Sequence, residues 1–276
     1  MDKLVFATAG IPLCTKPRTY KKAFADLNAM ELGGLEIEFV HGVKMSPANI
    51  KEVVDLAKPQ NIVLTAHAPF YVNLNSQEPE KTQASIDRII ETARMAKTLG
   101  LYSIVFHAAY YMGMGPDDVY KKVQDGFSQI MKVVEDEKID VFVRPETTGK
   151  ATQWGDLAEV IKISKEYEKV LPCVDFSHLY ARTTGGYNTY DDFCNILETI
   201  GNELGSFALE NFHAHIAGIE YTPKGERKHL NLDEALFNYK DLLKAFKKFD
   251  IKGIVVCESP NIEQDAMLLA KYYKSI

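Results

Sequence analysis

Apolar runs rich in β-branched residues alternate along the chain with longer segments whose apolar positions recur every three or four residues. Eight short runs read as strands: LVFATAG (4–10), GLEIEFV (34–40), NIVLTAHA (61–68), YSIVFHA (102–108), DVFVRPE (140–146), VLPCVDF (170–176), NFHAHIAG (211–218) and GIVVCES (253–259). Helices are expected near 17–31, 47–58, 80–99, 116–136, 154–167, 188–202, 232–248 and 261–274. In the third of these, Ile86, Ile89, Ile90, Ala93, Met95, Ala96 and Leu99 recur at three- and four-residue intervals, and Gly100 supplies the stop.

Eight βα units in 276 residues, with no Gly/Ser linker, charge block or low-complexity segment between them, match a (β/α)8 TIM barrel, an α/β fold expected as a single domain over 1–276. The competing topology is a doubly wound sheet, which gathers its site at one switch point. The barrel is preferred because polar residues recur at the C-terminal end of nearly every strand.

Composition narrows the class. With 46% hydrophobic and 25% charged residues the chain reads as globular, and no window approaches a membrane span or a signal-peptide core, so a cytoplasmic location without membrane contact is expected. Cys14, Cys173, Cys194 and Cys257 form no C-x-x-C and no disulfide framework, and Cys173 and Cys257 lie in apolar runs as small buried residues do. A formal charge of −6 argues against a broad basic surface that grips nucleic acid by phosphate neutralisation alone.

The chemistry collects at the strand ends: Glu36 and Glu38, His67, His107, Glu146, Asp175 with His178, His213 and His215, and Glu258, with Glu226 and His229 in the loop after the seventh strand. In a barrel these converge on one face. So many imidazoles and carboxylates on one rim need a cation to offset the cost of burial. Nitrogen and oxygen donors without thiolate suit zinc, manganese or another divalent metal at catalytic positions, and the surplus over four ligands points to two or three ions with a bridging carboxylate. No protein nucleophile motif and no phosphate-binding glycine loop is present.

These residues resemble the endonuclease IV type of apurinic/apyrimidinic endonuclease, within the xylose-isomerase-like barrels. HAPFYVNL (67–74) is similar to that family's H-A-P-Y-x-x-N segment and VDFSHLYARTTGGY (174–187) to its D-x-x-H signature; FHAAYY, PETTGK, HIAG, RKHLNL and VVCESP follow in family order. The resemblance implies zinc ligands at His67 and His107, a bridge at Glu146, a second site from Asp175, His215 and Glu258, and a third at His178 and His229. It implies cleavage of the phosphodiester 5′ to abasic sites in damaged duplex DNA, with Glu146 and Glu258 as catalytic carboxylates and no obligate protein partner. Phe70 and Tyr71 would wedge into the abasic gap, and Arg182 and Lys228 would contact phosphates.

Two departures matter. Arg227 stands where the family's third-site loop, Asp-Arg-His, has its aspartate, and Glu226 is one residue off register. Strand two carries Glu36 and Glu38 where the family has DNA-contacting polar and basic residues. An acid there resembles sugar-handling barrels, so a sugar isomerase or epimerase, with one metal and Glu146 and Glu258 as acid and base, is the alternative. His213 and His215 compete for one ligand position, His215 being favoured by the family spacing.

Overall fold

The structure, a computed structural model, describes residues 1–276. Eight parallel strands, β1 (Leu4–Ala9), β2 (Gly34–Glu38), β3 (Val63–His67), β4 (Ser103–Phe106), β5 (Phe142–Pro145), β6 (Val174–Asp175), β7 (Phe212–Ile216) and β8 (Gly253–Cys257), pair in the order β5-β4-β3-β2-β1-β8-β7-β6. The bridges Val143↔Val170 and Glu146↔Cys173 join the two ends and close the barrel. Pro172 lies between those bridges with no N–H to give, so regular pairing there shrinks to single contacts.

The helices are α1 (Tyr20–Ala29), α2 (Pro47–Leu56), α3 (Pro79–Leu99), α4 (Pro116–Asp136), α5 (Leu157–Ser164), α6 (Phe176–Arg182), α7 (Tyr190–Leu204), α8 (Ser206–Glu210), α9 (Tyr239–Lys248) and α10 (Glu263–Ser275). Their ends follow from local chemistry. Thr19 caps α1 by accepting the Lys22 N–H, Asp156 and Glu159 form a reciprocal capping box on α5, and Gly100 ends α3 at a φ of 67°.

The main core is a continuous cluster of 71 buried apolar residues, including the Ile86–Leu99 stripe of α3. Inside the barrel the packing is different. Its lowest apolar layer is just Ala7, Ile254 and Val256, and a Cβ at Gly34 would lie 2.9 Å from the Ala7 Cβ, so glycine is what fits there. Above it, Glu36, Thr65, Ser103, Arg144 and His213 form a polar layer that is entirely buried. The rim lies above that.

Two features depart from the expected pattern. The segment after Asp175 is the helix α6, not a loop; its residues are buried almost all round, so it shows no amphipathic period. The segment after β7 is an antiparallel hairpin, Gly218–Thr222 with Gly225–Leu230, whose mostly charged second strand hides its period of two. No helix is long and apolar enough to cross a membrane.

Candidate metal centre

Glu146 follows β5 directly, where its N–H continues the ladder to the Phe106 carbonyl at 3.0 Å, and its side chain is buried. One carboxylate oxygen, Oε2, lies 3.1 Å from His67 Nε2 and 3.0 Å from His107 Nε2. The other, Oε1, lies 3.2 Å from His215 Nδ1 and 3.3 Å from His178 Nδ1. Each oxygen therefore faces two imidazoles, from β3 and the end of β4 on one side and from α6 and β7 on the other.

Backbone carbonyls orient three of the surrounding rings. His67 Nδ1 meets the Ala68 carbonyl at 2.8 Å, His178 Nδ1 the Thr147 carbonyl at 2.9 Å and His229 Nδ1 the Glu258 carbonyl at 3.2 Å. A carbonyl can only accept, so Nδ1 carries the proton and Nε2 is left as the donor atom in each neutral ring. Ser177 pins the start of α6 to the end of β7, its hydroxyl donating to the Ala217 carbonyl at 2.7 Å and accepting the Ala217 N–H at 2.9 Å.

Donor atoms within 4.8 Å of one another form three groups at the rim: His67, His107 and Glu146; Glu146, Asp175, His215 and Glu258; and Asp175, His178 and His229. Glu146 belongs to two of them and Asp175 to two. Asp175 also caps α6, its Oδ1 accepting the His178 N–H at 2.7 Å, while Oδ2 is buried without a hydrogen-bond partner. His229 Nε2 is likewise buried and unpartnered. Orphaned nitrogen and oxygen donors of this kind, converging from several strands, fit a divalent cation.

The charges are mutually dependent. Burial works to raise the Glu146 carboxyl, yet His107, His215 and His178 hold it well below the usual range. Burial works to lower His67, yet Glu146 brings it up to about 10. Burial pushes Asp175 up to about 6 against the opposing pull of His178. At the mouth, Glu38 is open to solvent, and the neighbouring Glu36 and Glu258 carboxylates work to raise its carboxyl while His67 and His215 work to lower it.

The hairpin supplies the outer wall. Tyr221 pairs with Glu226 and Glu220 with Lys228, leaving Arg227 as the extra residue of a β-bulge. Residues three apart on a regular strand face opposite sides, but the bulge turns Glu226 and His229 the same way. Glu226 Oε2 lies 3.6 Å from His178 Nε2, and its Oε1 lies 4.0 Å from His229 Nε2. The off-register glutamate is thus brought to the site, and Arg227 points out to Glu220 at 2.6 Å. Tight docking holds this register: a Cβ on Gly225 would fall 2.3 Å from the Gly149 carbonyl oxygen.

Other expected residues lie elsewhere. His213 and Glu36 belong to the buried layer beneath the rim, His213 Nδ1 bonding Ser103 Oγ at 2.9 Å. Arg182 is turned to the loop before α5, its Nη1 donating to Thr148 Oγ1 and the Lys150 and Gln153 carbonyls at 2.6–3.0 Å. Lys228 lies 3.6 Å from Glu220 with 60% of its side chain exposed. Phe70 and Tyr71 stand exposed at the mouth, their rings 4.0 Å apart. Cys173, read as apolar filler, is buried but also groups with His213 and His215. The signal was its position two residues before Asp175, hence on the same strand face.

The pocket at the rim, of about 220 Å³, is lined by Glu38, His67, Phe70, His107, Glu226 and Glu258 among others. Larger hollows, up to about 720 Å³, lie along the outer helices and the N-terminal ends of strands, away from every one of these groups. Ligand chemistry at the C-terminal end of a barrel is the arrangement of TIM-barrel enzymes.

The chain belongs to the xylose isomerase-like TIM barrel family, whose model matches residues 24–276. It is 44% identical over 99% of its length to an uncharacterized protein of Methanocaldococcus jannaschii, 98% of which is covered. A probable endonuclease 4 of Shouchella clausii is 26% identical over 74% of this chain and 69% of its own. Among solved structures, endonuclease IV from Thermus thermophilus matches with a TM-score of 0.75 and 16% identity over 99% of this chain and 100% of that one. A D-tagatose 3-epimerase-like protein matches with a TM-score of 0.75 and 19% identity over 98% and 96%. At such identities the two structures share the fold, and both an endonuclease and a sugar epimerase are among its neighbours.

Proposed function

We propose that the chain is a divalent-metal-dependent endonuclease of the endonuclease IV type, cutting the phosphodiester 5′ to abasic sites in duplex DNA. The observation that carries this reading is Glu146, whose two oxygens each face two imidazoles at the junction of the ligand groups. One metal needs about four ligands, and Glu146, Asp175, His215 and Glu258 already provide them. His67, His107, His178 and His229 are surplus to a one-metal reaction and make sense when two or three ions are held.

Zinc, or manganese or another divalent ion in its place, would supply hydroxide at neutral pH and offset the negative charge gathering on the phosphate. His67 and His107 would hold a first ion with Glu146. Asp175, His215 and Glu258 would hold a second, and His178, His229 and Glu226 a third. Phe70 and Tyr71 offer apolar faces to the gap left by a missing base. Lys228, paired with Glu220 on the outer hairpin face, would turn from that partner to contact a phosphate.

The test is a labelled duplex carrying one tetrahydrofuran residue, incubated with protein loaded with zinc or manganese. The expected result is a single nick 5′ to the lesion that leaves a 3′-hydroxyl, lost in His107→Ala with folding retained by circular dichroism. An intact duplex across several metals overturns the reading.

A second reading, a sugar isomerase or epimerase, is favoured by one observation: the four-ligand group is complete by itself beneath a small acidic pocket. Metal stoichiometry separates the two. One tightly held ion per chain supports proton transfer on a sugar, and two or three support phosphodiester cleavage.

A further inference from the structure

Beneath the rim, Glu36 is fully buried and faces no lysine, a costly place for a carboxylate. Its Oε1 lies 2.9 Å from His215 Nε2, its Oε2 lies 3.3 Å from His213 Nε2, and Thr65 Oγ1 donates to Oε2 at 2.7 Å. Ser103 Oγ holds the far nitrogen of His213 at 2.9 Å. The one buried cation in this layer, Arg144, is turned to the Pro172 and Asn211 carbonyls at 2.9 and 2.6 Å. Two imidazoles thus stand at ion-pair distance from Glu36, whose one hydrogen-bond donor is Thr65; Glu36 Oε1 and both Nε2 atoms are buried without a hydrogen-bond partner.

We propose that Glu36 is the positioning residue for His215. With Nε2 drawn to Glu36, the ring presents Nδ1 upward, 3.2 Å from Glu146 Oε1 and 3.3 Å from Glu258 Oε1. A carboxylate behind a ligand histidine sets which nitrogen faces the ion and makes that nitrogen a better donor. His213 and Ser103 act one step further back, fixing the second oxygen of Glu36 so that the carboxylate does not turn away. The arrangement differs from that of His67, His178 and His229, whose rings are held by neutral carbonyls. His215 alone among the four has a charged partner behind it, so the second ligand group is tuned differently from the others.

The proposal rests on the rim binding metal, and the experiment keeps the two apart. Metal-stripped wild type and Glu36→Gln are titrated with zinc by calorimetry, with elemental analysis of the loaded proteins. Glutamine keeps the size and removes the charge. The expected result is the same number of ions, with the binding step of the His215 group weakened about 10- to 100-fold and the His67–His107 step unchanged. Nitrogen-15 NMR of zinc-loaded wild type, with His215 assigned through His215→Gln, needs no Glu36 variant and should show a proton on Nε2 and metal on Nδ1.

Equal affinities in wild type and Glu36→Gln, or a proton on Nδ1, overturn the positioning role and leave the metal reading standing. Wild type that takes up no ion overturns both. A thiolate-to-cobalt charge-transfer band in the cobalt-loaded protein, abolished by Cys173→Ser, also overturns it, because the buried layer would then be a metal site of its own with Glu36 among its ligands.

Discussion

The first ligand group and the third are built from different material. His67 and Glu146 sit at or just past the ends of barrel strands, where the ladder leaves little choice of direction, and His107 follows one residue after β4. His178 belongs to a seven-residue helix, and Glu226 and His229 to a bulged hairpin. The strand-borne group is held by the barrel itself. The hairpin-borne group depends on how one loop docks against another, above all on Gly225 against Gly149. A barrel can therefore keep its central pair of sites while its outer site is moved by a single inserted residue.

The largest effect should come from the carboxylate that joins the groups. Glu146→Gln keeps the side-chain volume and removes the charge that His67, His107, His178 and His215 surround. Two ions should be lost in elemental analysis, and single-turnover nicking should fall by about three orders of magnitude, the upper scale for losing one charge-stabilising group. Retention of every ion would show that the strand-borne group does not depend on Glu146, and the contrast with the hairpin would collapse.

Gly225→Ala attacks the other side of the comparison. The residue has a φ of 92°, and its new Cβ would meet the Gly149 carbonyl oxygen, so the hairpin has to shift. Strain of this kind costs about 1–3 kcal/mol. Urea unfolding should register that loss, and ion titration should show the third step weakened with the first two unaltered. A uniform weakening of all three steps would mean that the hairpin supports the whole rim.

The barrel could be read in advance because period-2 and period-3.6 patterns are written by burial, and each of its eight strands falls inside the run expected for it. The rim histidines followed, since a residue at the end of a parallel barrel strand can point to only one face. What stayed hidden has physical causes. The helix α6 buries nearly all of its surface and so carries no stripe. The bulge arises from pairing across the hairpin, which no local window contains, and without it Glu226 looks misplaced and Arg227 looks like a substituted ligand. Glu36 and His213 were expected at the rim, but each sits two residues before the end of its alternation, one layer down. Asp175 satisfies both of the roles a D-x-x-H pair suggests: one oxygen caps the helix and the other faces the site.

The smallest expected effect is also the sharpest probe of the hairpin register. Arg227 donates to Glu220 on the outer face with 63% of its side chain exposed, and exposed pairs of this sort contribute about 0–1 kcal/mol. Arg227→Ala should therefore leave the ion count and the third binding step unchanged. Deleting Arg227 asks more, because it converts E-x-x-H into E-x-H, and plain strand alternation then puts Glu226 and His229 on one face without a bulge. The third ion should be held within about tenfold of wild type, at or below the low end of the 10- to 100-fold losses typical of changes around a ligand. If calorimetry shows the third step lost in Arg227→Ala itself, the arginine faces the site, the bulge lies elsewhere, and Glu226 is no ligand.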